Sequence, residues 1–130
     1  MNLLLDTAAV LWSLEDNPRL GVTGRSAIVD PANEVYVSAA CVWEIAIKVR
    51  RGRLPVPPNV ATWLPRELEA RDFRPLPIST AHAAAVEHLP HHHRDPFDRI
   101  LIAQATVEGL RIVTSDERFT RYDVPLLRTG

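Results

Sequence analysis

The sequence predicts a three-layer α/β fold, with a central, mainly parallel sheet of about four to five strands and helices on both faces. Short apolar runs alternate along the chain with longer segments of helical character. Parallel strands need long crossover connections, which helices normally supply. A chain of 130 residues with 46% hydrophobic and 24% charged residues also suits one globular domain over residues 1–130.

Charge and cysteine content narrow the class of protein further. The net charge is −1, so any binding of nucleic acid must come from a local patch or a bound cation. Cys41 is the single cysteine and lies in an apolar run, which predicts a buried, inert thiol and suits the cytoplasm. We identify no leader peptide and no apolar run of bilayer length, so we expect neither secretion nor membrane insertion.

In the first half of the chain, two predicted strands each lead into a helix. Asp6 and Thr7 are helix-starting residue types directly after the first apolar run, and Ser38 is a good N-cap after the second. Gly52 follows a basic segment and predicts a helix end. In chain order we expect a strand at Asn2–Leu5, a helix at 7–14, a turn at 16–18, a helix at 23–30, a strand at 34–37 and a helix at 39–51.

Prolines and capping residues divide the second half. A helix over 62–71 would hold Pro65 in its first turn or bend there, and Pro75 and Pro77 would confine a strand at 74–78 to a sheet edge. Thr114 and Glu117 have the spacing of a capping box, which predicts a short helix starting at Thr114. The other expected elements are a loop at 54–59, a helix at 80–88, a polar loop at 91–94 and strands at 110–113 and 124–127.

The stretch from Arg94 to Ala105 combines a strong helix start with an acid on an apolar face. Asp95 is a good N-cap, and Pro96 suits the first helical position, where a missing N–H costs nothing. Asp98 lies on the first turn, and Gly109 ends the helix. The acid either interacts with the helix dipole or contributes to a ligand or metal site. At helical spacing its face continues through Leu101, Ile102 and Ala105.

Four acids follow or lie near strand ends that a parallel sheet would bring together. They are Asp6, Glu44, Asp98 and Asp116. Carboxylates so close raise one another's pKa unless positive charge lies among them. A hard cation such as Mg²⁺ or Mn²⁺ prefers these oxygens and commonly also binds a phosphate oxygen. The set therefore indicates metal-dependent phosphodiester chemistry.

Each acid also has a simpler structural explanation. Asp6 suffices as a helix cap, Asp116 as a partner of a helix dipole, and Asp95 as the cap of its own helix. Glu44 stands four residues before Lys48, in the favourable orientation for an exposed ion pair. Only the whole set, at the edge where the topology converges, favours a functional site.

Four blocks of sequence carry a recognisable pattern. They are residues 2–12, the stretch from Ser38 to Lys48 with Trp43-Glu44-Ile45-Ala46-Ile47-Lys48, the run Asp95-Pro96-Phe97-Asp98-Arg99, and Thr114-Ser115-Asp116. In this order they resemble the PIN-domain toxins of the VapC family, over nearly the whole chain. The resemblance implies an endoribonuclease that uses Mg²⁺ or Mn²⁺, is a homodimer and is inhibited by a DNA-binding, VapB-like antitoxin.

The resemblance also implies roles for individual residues. It matches the acidic site to Asp6, Glu44, Asp98 and Asp116, with Thr7, Ser115 and Asp95 supporting it. Ala8 departs from the pattern, since relatives with this type of block often carry His there. We expect basic residues near the site or at one helix end to bind the RNA. These are Arg99, Lys48, Arg50, Arg51 and Arg53.

The same residues argue against several other classes of site. His91, His92 and His93 are consecutive, so their side chains diverge on an extended loop and are not expected to share one metal ion. A dehalogenase-type phosphatase would carry a second Asp where this chain has Ala8, and no Gly-rich turn for a dinucleotide follows the first strand. The alternative function is a PIN-like module that binds RNA or a protein without cleavage.

Overall fold

A computed structural model describes residues 1–129, whose strands form a single five-stranded sheet. The strands are β1 (Asn2–Leu5), β2 (Glu34–Ser38), β3 (Arg74–Leu76), β4 (Arg111–Thr114) and β5 (Leu126–Arg128). They lie in the order β3-β2-β1-β4-β5, and every neighbouring pair is parallel. The predicted α/β class and parallel sheet are therefore confirmed.

Helices occupy the long crossovers between the strands. The helices are α1 (Thr7–Glu15), α2 (Gly21–Val29), α3 (Ala39–Arg50), α4 (Val60–Ala70), α5 (Thr80–Ala85) and α6 (Pro96–Glu108). The chain moves outward from β1 through β2 to β3 and then returns across the sheet to β4. Because crossovers between parallel strands are right-handed, the helices before and after β3 cover opposite faces.

Strand β1 is the centre of the core. Leu3, Leu4 and Leu5 have no exposed surface, as expected for a central parallel strand covered on both faces. Ile45 of α3 and Leu101 of α6 are equally buried and belong to the same hydrophobic cluster. The helices that carry two of the candidate acids are thus attached firmly to the sheet.

The sheet has its topological switch point between β1 and β4. The chain leaves β1 towards one edge of the sheet and reaches β4 on the other side of the same strand. Leu5 pairs with Val113 near the carboxyl ends of the two strands, and the Asp6 backbone N–H donates to the Val113 carbonyl at 3.1 Å. A ligand site is expected in the crevice beside such a switch point.

Two helix starts differ from the sequence-based expectation. Helix α4 begins at Val60 rather than at residue 62, so Pro65 lies inside the second turn and not in the first. The reason is the preceding Asn59, whose left-handed backbone (φ 63°) turns the chain into the helix two residues early. The final short helix is a 3-10 segment, Glu117–Arg121, capped by Asp116, because Thr114 is still part of β4.

Other expectations are met within a residue or two. Pro75 lies in β3, which is an edge strand of only three residues, as the two prolines of this segment predict. Cys41 is fully buried, and this burial raises the pKa of its thiol to about 12, so the thiol is inert. Within residues 1–129 no helix has both the length and the apolar character needed to span a bilayer.

Shortening a buried side chain of the central strand should destabilise the fold strongly. We expect Leu4→Ala to lower the free energy of unfolding by about 2–5 kcal/mol, since it removes buried methyl groups and leaves a cavity. Chemical denaturation monitored by circular dichroism measures the change. The control is Val22→Ala on α2, where the side chain is 84% exposed and a change within about 0.5 kcal/mol is expected. Equal losses for both variants would contradict this account of the core.

Candidate active site

The four predicted acids lie around the carboxyl ends of β1 and β4. Asp6 directly follows β1, Asp116 lies two residues after β4, Glu44 is in α3 and Asp98 is in the first turn of α6. The charges of Asp6, Glu44 and Asp116 all raise the pKa of Asp98, so the four groups share one electrostatic environment. The tertiary structure therefore brings these acids together, as the strand-end argument predicts.

Asp6 both caps α1 and faces the site. One carboxylate oxygen accepts the Ala9 backbone N–H at 2.8 Å, and the other accepts the Thr114 hydroxyl at 2.6 Å. Burial raises the pKa of Asp6, and these two hydrogen bonds oppose the rise. The Thr114 oxygen also accepts the Asp116 backbone N–H at 3.0 Å. Thr114 thus links the two strand-end acids.

Glu44 is held by one neighbour on each oxygen. The Thr7 hydroxyl donates to Oε1 at 2.6 Å, and the Lys48 ammonium lies 2.9 Å from Oε2. Glu44 and Lys48 form the ion pair that their helical spacing predicts. The sequence suggested an exposed pair, but the Glu44 side chain is only 10% exposed. Thr7 therefore holds the carboxylate of one of the four predicted acids.

The ionisation of Asp98 is opposed both by burial and by the charges around it. Burial is the largest cause, followed by the negative charges of neighbouring carboxylates, and together they raise its pKa to about 8. The nearest of these in sequence is Asp95, which accepts the Phe97 backbone N–H at 2.9 Å as the N-cap of α6. A carboxyl group in this state needs positive charge nearby to be ionised at neutral pH.

Asp116 has a cation of its own. The guanidinium of Arg118 donates to both of its oxygens, with Nη2 2.7 Å from Oδ2 and Nε 3.1 Å from Oδ1. These hydrogen bonds are the main cause that lowers the pKa of Asp116. Arg118 was not predicted as a site residue, because a basic residue two positions after a helix cap has no distinctive sequence signal.

His93 is a further site residue that sequence reasoning missed. Its side chain is only 1% exposed, and Nε2 lies 2.7 Å from Oδ2 of Asp98 and 3.7 Å from Oδ2 of Asp116. Burial and the charge of Arg118 lower the pKa of His93. The feature of the sequence that could have identified His93 is its position two residues before the N-cap Asp95. Of the three consecutive histidines, His93 is the buried one, whereas His91 and His92 are exposed.

Arg99 does not have the position expected of an RNA-binding residue. It is 9% exposed, and Nη1 donates to the Pro90 carbonyl at 2.8 Å while Nη2 donates to the Leu89 carbonyl at 3.3 Å. The Tyr122 hydroxyl completes the network, since it donates to the same Pro90 carbonyl at 2.8 Å. This corrects the expected role: Arg99 holds the loop in front of α6 and does not present its charge to solvent.

Three further residues were predicted to support the site or to bind RNA, namely Ser115, Arg50 and Arg51. The hydroxyl beside Asp6 belongs to Thr114, one residue before the Ser115 that the resemblance indicates. Arg50 and Arg51 are exposed at the end of α3, about 9 Å along the helix axis from the turn that holds Glu44. They form a basic surface at this end of the helix.

The donor set fits a hard divalent cation. Carboxylate oxygens of Asp98 and Asp116 lie within 4.8 Å of each other and of a ring nitrogen of His93, and Asp6 is joined to Asp116 through Thr114. Carboxylate oxygens are the ligands that Mg²⁺ and Mn²⁺ prefer. A cation here would also supply the positive charge that the ionised form of Asp98 needs.

Comparisons with known proteins agree with this architecture. A family model for the PIN domain matches residues 3–125. The chain is 31% identical over 123 residues to Ribonuclease VapC22 of Mycobacterium tuberculosis, a match that covers 94% of this chain and 92% of that protein. It is 36% identical over 72 residues to Ribonuclease VapC16 of the same organism, where the match spans only 51% of the relative.

Solved structures with the same fold come from toxin–antitoxin complexes. A chain of VapBC2 from Rickettsia felis bound to a promoter DNA fragment superposes with a TM-score of 0.76 at 14% identity, over the full length of both chains. A chain of FitAcB from Neisseria gonorrhoeae gives a TM-score of 0.68 at 25% identity, with 97% of this chain and 96% of that chain covered. The solved structures agree in fold, and the family match together with the similarity to Ribonuclease VapC22 shows that the chain belongs to the PIN domain family and, within it, to the VapC ribonucleases.

Proposed function

We propose that this chain is the toxin of a toxin–antitoxin pair, an endoribonuclease that hydrolyses RNA phosphodiester bonds with Mg²⁺ or Mn²⁺. The observation that carries the proposal is the cluster of acids around Asp98, whose pKa is raised to about 8 by burial first and then by the negative charges of its neighbours. Relatives named as ribonucleases support the reaction. The acidic site at the switch point supports the metal.

The proposed mechanism divides the work between the four acids. Asp6, Asp98 and Asp116 would hold the cation, directly or through water, and Glu44 would complete the cluster or orient the attacking water. When bound, the cation supplies positive charge that polarises a phosphate and makes water more acidic. Thr7 and Thr114 keep two of the carboxylates oriented through hydrogen bonds of 2.6 Å each.

We propose that RNA approaches along the exposed surface of α3. Arg50 and Arg51 lie at the end of this helix, and Lys48 is 41% exposed while it contacts Glu44. Such cations bind phosphates without regard to sequence. Trp43, 60% exposed and packed edge-on against Phe97, adds an aromatic surface next to two of the acids.

We infer partners from the relatives. The VapBC complex from Rickettsia felis contains promoter DNA, which supports a DNA-binding antitoxin for this chain also. A VapB-like protein would keep the ribonuclease inactive, and a homodimer would be the active form. Because RNA is the proposed substrate, the protein would act in the cytoplasm, as one PIN-like domain.

Removing one acid should abolish cleavage. We expect Asp98→Asn to reduce the rate of RNA hydrolysis by a factor on the order of 100 or more, because a bound cation contributes several kcal/mol of transition-state stabilisation. The measurement is cleavage of a mixed RNA substrate by purified chain, freed of any partner, with Mg²⁺ or Mn²⁺ and after chelation. Cleavage by Asp98→Asn at the parent rate would refute the assigned site.

The matched control is Glu69→Gln, an exposed acid on α4 that lies beside the amino ends of β2 and β3 and not at the carboxyl ends where the four acids lie. It should cleave at the parent rate. RNA binding by the parent chain without metal-dependent products would instead favour the binding-module alternative.

Metal affinity should depend on pH through Asp98. Its pKa of about 8 means that the carboxyl is mostly protonated at neutral pH without a cation, so binding must release a proton. We expect Mn²⁺ affinity to rise by up to roughly tenfold per pH unit below about pH 8 and to level off above it. Titration calorimetry in buffers with different ionisation enthalpies measures both affinity and proton release. Constant affinity below about pH 8 would contradict the raised pKa.

Expression of the chain alone should arrest growth, and the product of the neighbouring gene should relieve it. The reason is that the proposed antitoxin sequesters the ribonuclease before RNA is cut. Colony counts with and without co-expression measure the effect, and Asp98→Asn expressed alone should be harmless. Arrest that no neighbouring gene relieves would contradict the proposed antitoxin.

A further inference from the structure

The loop before α6 is built to hold one imidazole ring under the acidic site. The backbone N–H groups of His92 and His93 donate to the Tyr122 hydroxyl at 3.1 and 3.0 Å. The His93 ring packs edge-on against Phe119, with ring centroids 5.9 Å apart. Because both aromatic residues are almost fully buried, the ring has little freedom to turn.

The protonation of this ring follows from its backbone contact. The Asp95 backbone N–H donates to His93 Nδ1 at 3.2 Å, so Nδ1 is an acceptor and carries no proton. A neutral imidazole then carries its single proton on Nε2. The buried donor therefore faces the acids and not the loop.

No well-directed hydrogen bond satisfies this donor within residues 1–129. The only acids that the ring nitrogen approaches in the described chain are Asp98, at 2.7 Å, and Asp116, at 3.7 Å. A buried N–H without a partner destabilises the fold, because it has lost its hydrogen bond to water. A small rotation of the Asp98 carboxylate would complete the bond, and a bound cation that shares this carboxylate would favour one orientation.

We propose that His93 is a positioning residue that donates its Nε2 proton to Asp98 and orients this carboxylate towards the cation, without itself binding the cation. The proposal rests on the proposed metal-dependent function. Direct coordination by Nε2 would require the proton to move to Nδ1. There it would face the Asp95 N–H, so that two donors would oppose each other and a hydrogen bond would be lost. The ring would thus act on the cation through Asp98.

The first test reads the tautomer of the unchanged chain. Long-range ¹H–¹⁵N correlation spectra of the metal-free protein should show His93 protonated on Nε2 and not on Nδ1. Pulsed EPR of the Mn²⁺-loaded chain should show no directly coordinated nitrogen. A proton on Nδ1, or a nitrogen bound to Mn²⁺, would overturn the proposal, and the second result would make His93 a metal ligand.

Two substitutions test the two ring nitrogens separately, Nε2 as the donor and Nδ1 as the acceptor. In His93→Gln the amide nitrogen can reach the position of Nε2, whereas in His93→Asn the amide reaches only that of Nδ1, where it can still accept the Asp95 N–H. We expect His93→Asn to weaken Mn²⁺ binding about 10- to 100-fold and His93→Gln to restore much of this loss. The control is His91→Asn on the same loop, which is exposed and should bind Mn²⁺ as the parent does.

Calorimetry with Mn²⁺ alone gives these affinities without any RNA, and thermal melts establish that each variant is folded. Equal Mn²⁺ affinity for His93→Asn and the parent would overturn the proposal. The tautomer spectra test it even where a variant does not fold. If the parent binds Mn²⁺ with the expected tautomer but cuts no RNA, the ribonuclease function fails while the role of His93 stands.

Discussion

The organisation of the site depends on the cost of holding several carboxylates at one partly buried edge of the sheet, where burial and then mutual repulsion oppose their ionisation. Three of the acids have a local partner that stabilises their charge. Asp6 accepts the Thr114 hydroxyl, Glu44 lies against Lys48, and Asp116 is bound by a guanidinium. Burial nevertheless raises the pKa of Asp6, and burial together with the neighbouring carboxylates raises the pKa of Asp98 to about 8, so both groups resist ionisation. A divalent cation would supply positive charge that favours their ionised forms.

Secondary structure and site share the same residues. Asp6 caps α1 with one oxygen and faces the site with the other, and Asp116 likewise caps the 3-10 segment that follows β4. Asp95 caps α6 with its carboxylate while its backbone N–H donates to the His93 ring. The simple structural explanations of these acids are therefore correct, but they do not compete with function. A cap is the natural place for a site residue, because it lies just beyond a strand and its orientation is fixed.

A buried polar network holds the loop that precedes α6 and carries His93. The Tyr122 hydroxyl accepts two backbone N–H groups and the Arg99 guanidinium, and it donates to the Pro90 carbonyl. Such a network satisfies the polar groups of an irregular loop that would otherwise be costly to bury. It also explains why an arginine next to the acids, which the sequence suggested for binding RNA, is directed into the protein.

The sequence by itself determined the alternation of strands and helices, the edge position of β3 and the four acids, because these depend on periodicity, proline chemistry and residue order. The helix start at Asp95 and Pro96 was equally readable, since capping is local. Only the tertiary structure decided that His93 is buried against Asp98, that Thr114 joins two acids and that Arg118 neutralises one. These contacts link residues from separate elements or depend on which way one side chain turns, and neither leaves a periodic signal in the chain.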